Sequence, residues 1–519
     1  MEVELKLLVA PEDLDRLEHH PALRELRRWS GRTERLATTY YDTPDFQLAR
    51  EGVALRVRRN GEHWIQTLKT EGEAAAGLHV RDELEWPLAA GEIDLAALDA
   101  TPYRKLFGRK RVRDRLGPVF TTEFDRAARM VSFADGTAAE LAIDRGEIRA
   151  GGRTAAISEA EIELKTGDAL RLFELAREIA RDVPLRLGHA SKAERGYALA
   201  RDAVSRPQKA RAIELEEALS ASAALKRIAL ACVAQMQANE AGMLEGKDPE
   251  YLHQFRVGLR RLRSCLGLVG MAAAKDAIAP LAEELRWLGG VLGPARDWDV
   301  FATETLARLA REFRGAEGLA GFRTHCARLR RAHGDAAREA VRSPRYTALL
   351  LALGEAFARD DLVGLRRPPT DDAAPSAASP ESPGLADRVV EFADFVLEKR
   401  DRRLRKNGKR VPAAPPDERH RVRIAAKKLR YAAEFLASLY PRKRVERFVA
   451  ALEDLQDILG ALNDAAVVGR LLEEAAAKAP IAPRVEGLIR GWVAAAAQGE
   501  LARYKRAWQA FDEAKPFWR

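Results

Sequence analysis

The hydrophobic period of this chain changes once, and that change limits what it can fold into. Up to about residue 165, apolar and polar residues mostly alternate, as in half-buried strands. Beyond about residue 213, apolar residues recur at helical spacing, and Ala, Leu, Glu and Arg dominate. The segments TTYYDT, VALRVRR, HWIQTLK, LHVRDELEWPL, RMVSF, AELAIDRG and AEIELK read as strands parted by Gly, Asp, Asn and Pro turns. Helical stretches are expected near 11–28, 92–106, 168–181 and 192–204. About eight antiparallel strands suffice to close a barrel. The expectation is an α+β domain over 1–205, a linker over 206–215 and an all-α domain over 216–515. A Pro-, Ala- and Ser-rich stretch at 366–384 reads as a disordered loop that splits the helical domain into 216–365 and 385–515. Gly408–Asp417 reads as a second, shorter break.

The strand region carries an unusual pattern of charge. Glu2, Glu4 and Lys6 alternate with Val3, Leu5 and Leu7, which puts two carboxylates and an ammonium on one face of a strand. The pattern returns in Glu161, Glu163 and Lys165. Arg56 and Arg58 are two apart, as are Arg81 and Glu83, while Lys69 shares a face with Thr67 and Ile65. Carboxylates at such density call for a divalent metal, and cations among them suit a polyanionic ligand. A solvated sheet face is the plain alternative for any single strand. Repetition over six strands favours a charged lumen instead.

Read in order, these segments resemble the CYTH family, also called triphosphate tunnel metalloenzymes, over about residues 1–203. The resemblance rests on EVELK, YYDTPD at 40–45, ALRVRR at 54–59, TLK ending at Lys69, FDR ending at Arg126, LAIDRG at 141–146, EIELK at 161–165 and SKAERGY at 191–197. It implies an eight-stranded antiparallel tunnel barrel that binds a triphosphate with Mg²⁺ or Mn²⁺. By that resemblance Glu2, Glu4, Glu161 and Glu163 hold metal, with Asp144 beside them. Lys6, Arg56, Arg58, Lys69, Arg81, Arg126 and Lys192 hold phosphate oxygens, and Glu83 gives catalytic support. Lys165 either joins the phosphate set or pairs with a glutamate. The group that takes the proton of the attacking water stays open between a tyrosine such as Tyr41 and a carboxylate. Trp64 and Trp86 read as packing residues rather than a base-stacking pocket.

The helical region contains an internal repeat. His253, Arg256, Arg260, Arg261 and Arg263 match His420, Arg423, Lys427, Lys428 and Arg430 at a constant offset of 167 residues, and so do Leu292, Gly293 and Asp297 with Leu459, Gly460 and Asp464. His253, Arg256, Arg260 and Arg263 form one stripe on a helix. These motifs resemble the CHAD domain family over about 216–515. That resemblance implies an all-α domain of two related helical bundles whose basic faces bind inorganic polyphosphate through all ten of these residues. Nucleic acid is the rival ligand, and the scarcity of aromatic residues in the stripes favours bare polyphosphate.

Composition narrows the rest. The 519 residues are 47% hydrophobic and 32% charged, with no apolar run long enough to span a bilayer. Cys232, Cys265 and Cys326 make neither a disulfide framework nor a zinc site, so a cytoplasmic protein is expected, free or on polyphosphate granules. The net charge of +9 comes from the part after residue 205, since the first part is slightly acidic. The leading expectation is a metal-dependent inorganic triphosphatase joined to a polyphosphate-binding module. A non-catalytic polyphosphate-binding protein is the alternative, with adenylate cyclase and thiamine triphosphatase behind it.

Overall fold

The structure, a computed structural model, describes residues 2–26, 32–70, 72–202, 206–273, 275–359, 362 and 383–519. Most of the expected loop at 366–384 lies outside the described residues. The chain forms two compact units, one of residues 1–206 with 342–359, the other of residues 207–341 with 360–519.

The first unit is built on one curled antiparallel sheet. Its strands are β1 (Glu2–Val9), β2 (Arg32–Asp42), β3 (Val53–Asn60), β4 (His63–Thr70), β5 (Glu73–Ala75), β6 (Leu78–Arg81), β7 (Glu83–Leu88), β8 (Gly117–Ser132), β9 (Ala138–Ala150), β10 (Arg153–Thr166) and β11 (Leu185–Leu187). They pair in the order β5-β6-β1-β10-β9-β8-β2-β3-β4-β7, and β11 adds to β1. Only Asp82 separates β6 from β7; β6 pairs with β1 and β7 with β4, so one residue links the last strand of the path to the strand next to the first. Thr70 pins that residue, its amide donating to the Asp82 carbonyl at 3.1 Å. Gly72, at φ +58°, permits the turn beside it, because a Cβ there would lie 2.3 Å from the Val80 carbonyl oxygen.

Alternation sorts the faces. On β3, Val53 and Leu55 join Leu48, Leu68, Leu98, Phe107 and Val112 in an apolar cluster under short helices, which turns Arg56 and Arg58 the opposite way. Burying each such apolar side chain stabilises the fold by about 1.5–3 kcal/mol. The outer face thereby supports an inner face dense in charge. Trp86 packs against this cluster, and Trp64 lies under the Arg59 guanidinium. On the inner side a second cluster, including Leu36, Tyr40, Phe120, Phe124, Ile148 and Ile157, packs against Tyr197 of the helix Lys192–Ala200. Gly196 allows the close approach, since a Cβ there would sit 2.0 Å from the Phe120 ring.

Several expected boundaries move, each for a local reason. The helix expected at 11–28 divides into Leu14–Glu18 and Pro21–Glu25, because Pro21 has no N–H with which to continue. That expected at 92–106 becomes Leu95–Asp99 and Arg104–Phe107, parted at Pro102. RMVSF is the end of the 16-residue β8, whose polar residues lie on both faces and so hide the alternation. The strands number eleven among the described residues, because β5 and β11 are three-residue additions and the 78–88 segment breaks at Asp82.

The helix Pro344–Ala358 lies in sequence within the expected helical domain but packs with the first unit. Thr347 Oγ1 donates to the Leu185 carbonyl at 2.9 Å, Arg177 pairs with Glu355 at 2.9 Å, and Gly354 faces the ring of Phe173.

The second unit is helical. Ala221–Glu245, Pro249–Ala272 and Lys275–Val300 are followed at nearly the same 167-residue offset by Val389–Gly408, Pro416–Phe435 and Arg442–Lys478. One apolar cluster draws Trp298, Phe301, Phe322 and Cys326 together with Leu471, Leu472 and Ile489. Among the described residues no helix is long and apolar enough to cross a membrane.

Candidate functional site

Strand register assembles the charges of the first unit. β1 sets Lys6 opposite Glu161 and Glu4 opposite Glu163, while β6 sets Arg81 opposite Glu2. Arg126, Asp144 and Glu159 fall in line across β8, β9 and β10. Lys192 enters from a helix whose start is fixed by a capping box: Ser191 Oγ accepts from the Glu194 amide, and Glu194 accepts from the Ser191 amide at 2.7 Å.

The result is a buried ion-pair network. Lys6, 1% exposed, pairs with Glu161 and lies 3.2 Å from Glu159. Lys192 Nζ lies 2.6 Å from Asp144, 2.5 Å from Glu159 and 2.9 Å from Glu161. Arg126 forks onto Asp144 with two donations of 2.7 Å and reaches Glu161 at 2.6 Å. Arg81 joins Glu2, at 3.0 Å, to Glu4. Lys69 bridges Glu2 at 3.1 Å and Glu83 at 2.9 Å, and Glu83 accepts from Arg56 at 3.1 Å.

Burial and neighbours set the protonation of these groups. Burial alone would raise Glu2, but Lys69 and Arg81 outweigh it and hold the carboxyl at about 2. Glu4 moves the other way, because burial and the nearby Glu161 exceed the pull of Lys6 and Arg81. Glu161 stays well below the carboxylate range: Lys192, Lys6 and Arg126 overcome its burial. Arg58 is drawn down to about 10 by burial and by Arg56 and Arg126; Thr38 Oγ1 accepts from its Nε at 3.4 Å. Tyr40 is also lowered, since Arg56 and Arg58 outweigh its burial.

Eleven of the expected residues therefore meet in one network: Glu2, Glu4, Lys6, Arg56, Lys69, Arg81, Glu83, Arg126, Asp144, Glu161 and Lys192. Arg58 flanks it. Glu163 and Lys165 pair with each other at 2.7 Å, the second of the two roles open to Lys165. Tyr41 packs against the apolar cluster under β3, on the opposite strand face from Tyr40, and is no candidate for proton transfer at the network.

Glu159 is a network member that the sequence analysis does not single out. Glu159, 0% exposed, also accepts from Arg195 Nη1 at 2.9 Å. Its signal was present: Glu159 stands two residues before Glu161, so the alternation already places it on the same face. Asp144, Glu159 and Glu161 each offer a carboxylate oxygen within 4.8 Å of the others. An all-oxygen donor set fits a hard divalent cation such as Mg²⁺ or Mn²⁺.

In the second unit, the paired stripes meet. Arg256 and Arg260 of the 249–272 helix act on Lys427 and Arg423 of the 416–435 helix, and Arg260 Nε donates to Tyr431 Oη at 3.3 Å. Asp297 and Asp464, equivalent in the repeat, lie near them. Among the described residues none of these four cations has a carboxylate at salt-bridge distance. The Nε atoms of Arg256 and Arg423, repeat mates, are buried without a hydrogen-bond partner, as is His253 Nδ1. Burial and the surrounding arginines push His253 down to about 4. His420 is exposed beside Asn463 Oδ1 at 3.0 Å.

Four expected members, Arg261, Arg430, Lys428 and Arg263, stand apart from this face. Arg261 is 4% exposed, donates to Gln235 Oε1 at 3.0 Å and covers the Phe435 ring, since its place on the helix turns it toward the interior. Arg430 is engaged with Glu434 at 2.6 Å and Glu453 at 2.8 Å. Lys428 is turned to an adjoining surface, which Arg263 also reaches.

Comparison with known proteins defines the class. Residues 1–197 match the CYTH domain family and residues 227–473 the CHAD domain family. The chain is thus a CYTH domain followed by a CHAD domain. Among particular relatives, it is 35% identical over 199 residues to an inorganic triphosphatase of Haemophilus influenzae, a match covering 38% of this chain and 54% of that protein. The chain spans about half the length of that relative. The CHAD domain structure from the plant Ricinus communis is 33% identical, covering 60% of this chain and 98% of the other, with a TM-score of 0.49. A putative adenylyl cyclase from Hippeastrum, described as having a dominant triphosphatase activity, is 22% identical over 39% of this chain and 96% of the other, with a TM-score of 0.30.

Proposed function

We propose that this protein is a metal-dependent inorganic triphosphatase, splitting triphosphate into diphosphate and phosphate, with a C-terminal domain that binds polyphosphate. The observation that carries the first part is the buried network in which nearly every carboxylate is matched to an ammonium or guanidinium. Such a site disfavours a bare anion, because the carboxylates repel it, and disfavours a bare cation for the converse reason. It favours the two together, by exchange of partners: carboxylates take the metal, and the released cations take phosphate oxygens. The 35% identity over 199 residues to the Haemophilus influenzae triphosphatase supports the substrate.

We read segment 78–88 as one kinked strand and set aside the two short additions, which gives an eight-stranded tunnel. Glu2, Glu4, Asp144 and Glu161 hold Mg²⁺ or Mn²⁺, with Glu163 at the margin. When bound, the metal neutralises charge on the phosphoryl oxygens. Lys6, Arg126 and Lys192 bind phosphate at one side of the tunnel, and Arg56, Arg58, Lys69 and Arg81 at the other. Glu83 orients Lys69 and Arg56. Water attacks a terminal phosphorus, the anhydride bond to the neighbouring phosphate breaks, and diphosphate leaves with the electron pair. The helical domain is read as two related halves whose paired face, Arg256, Arg260, Arg423 and Lys427, holds a phosphate chain. The unpartnered Nε atoms of Arg256 and Arg423 support that reading. The three thiols are buried and unbridged, which accords with a cytoplasmic protein, free or on polyphosphate granules.

The test offers the full chain, with Mg²⁺ or Mn²⁺, triphosphate, ATP, thiamine triphosphate and long-chain polyphosphate, and identifies products. Diphosphate and phosphate from triphosphate, at the highest kcat/KM of the set, are expected. Binding of phosphates without any hydrolysis would make it a non-catalytic binding protein; cyclic AMP from ATP would make it a cyclase.

A further inference from the structure

The basic stripe of the 249–272 helix does not end at the paired face. Arg256, Arg260 and Arg263 recur at helical spacing, and seven residues carry the stripe about 10 Å along the axis. Glycines of the 275–300 helix flank it: a Cβ at Gly293 would lie 3.5 Å from Arg256 Nη1, and one at Gly289 would lie 3.1 Å from Arg263 Nη1. Beyond Arg263, the 389–408 helix brings Arg400 across. Its Nη1 donates to Ser264 Oγ at 3.5 Å and to the Lys428 carbonyl, tying three helices together. Arg403 follows one turn later on the same face and is exposed, as are Arg263 and Lys428.

These four cations lack what their neighbours have. Among the described residues none of Arg263, Lys428, Arg400 and Arg403 has a carboxylate at salt-bridge distance. On the same helices Arg402 pairs with Glu398 at 3.3 Å, Arg405 with Asp401 at 2.8 Å and Arg430 with Glu434 at 2.6 Å, all at i,i+4 spacing. An ordinary solvated face is laced with such pairs. Here they stop where three helices converge. Burial together with Arg400, Arg403 and Arg263 lowers the Lys428 ammonium, so the four feel one another.

We infer that Arg263, Lys428, Arg400 and Arg403 form a second anion-binding patch, continuous with the paired face, which holds the outer phosphates of a long polyphosphate chain. The inference rests on the polyphosphate-binding reading of the helical domain and adds a length requirement to it. A short chain fills the paired face alone, whereas a long one bridges both. None of the four residues neighbours an aromatic residue in sequence that could serve as a base-stacking platform, which favours bare phosphate over nucleic acid.

The experiment uses the full chain in metal-free buffer with fluorescent short-chain and long-chain polyphosphate. The variant is Arg403→Glu with Lys428→Glu; both side chains are exposed, and a thermal melt checks that the fold is kept. Long-chain Kd should rise on the order of tenfold or more, with a shallower salt dependence, while short-chain Kd is unchanged. Unchanged long-chain Kd and salt slope in a folded variant would overturn the patch. Equal losses for both lengths would overturn the length requirement. Failure of the wild-type chain to bind either polyphosphate would instead remove the reading beneath it. Tighter binding of single-stranded RNA than of long polyphosphate, lost in the variant, would assign the patch to nucleic acid.

Discussion

Glu159 and Glu161 stand two residues apart on one strand face, yet their partners differ. Both oxygens of Glu159 are taken, one by Lys6 and Lys192 and the other by Arg195 from outside the cluster. Glu161 faces Lys6, Lys192 and Arg126, all of them groups read as phosphate ligands. Glu161→Gln should therefore abolish metal-dependent hydrolysis and weaken Mn²⁺ binding measured calorimetrically without substrate. Glu159→Gln should leave Mn²⁺ affinity unchanged and raise KM for triphosphate about 10- to 150-fold, the worth of one charged hydrogen bond of about 1.5–3 kcal/mol. Equal loss of Mn²⁺ affinity in both variants would make Glu159 a metal ligand instead. In the helical domain Lys427 offers a pH test. Burial, with Arg423, Arg260 and Arg256 beside it and Asp464 only partly opposing, brings its ammonium down to about 7. Below that pH the group is charged whether or not polyanion is bound. Above it, binding must take up a proton, so polyphosphate affinity should fall as pH rises through 7. Lys427→Arg should flatten that profile. The charged network was legible residue by residue because strand alternation fixes faces. Arg261 was not, since one step around a helix separates a surface stripe from the core.

At the scale of elements, the helix carrying Lys192 shows how local sequence positions a functional group. The Ser191 and Glu194 capping box fixes the first turn, and Lys192 is the first residue in it. Ser191→Ala should cost about 1 kcal/mol in stability, read from denaturant unfolding, and should raise KM for triphosphate through the displaced ammonium. An unchanged KM with the stability loss would limit the cap to folding. Most strands could be read from period two, and the repeat could be read from identical spacing. What could not be read has physical causes. β8 has polar residues on both faces because one faces charge and the other solvent. The break at Asp82 comes from a change of pairing partner, which is a long-range event. Pro344–Ala358 is apolar on nearly all sides, with Tyr346, Leu349, Leu350, Leu351, Leu353 and Phe357 buried. Such a pattern announces burial without saying against what.

At the scale of the molecule, the two compact units do not divide the chain at a single point. The polypeptide leaves the first unit after residue 206, returns for residues 342–359 and leaves again. The returning helix grips β11 and the 170–179 helix, and β11 is hydrogen-bonded to the strand that bears Glu2, Glu4 and Lys6. A protease cutting at Lys209 or Arg211, both exposed, would therefore nick the chain without freeing its N-terminal half. The nicked protein should elute as one species on gel filtration and keep triphosphatase activity, with the pieces parting only in denaturant. Elution as two fragments would show that the helix is a weak hold. The same threading means that a gene shortened to residues 1–205 encodes a body with an open seam, which should melt at a lower temperature than the full chain. Two such chains recombined by a single cut near residue 206 would each carry a returning helix from one parent packed against a first unit from the other.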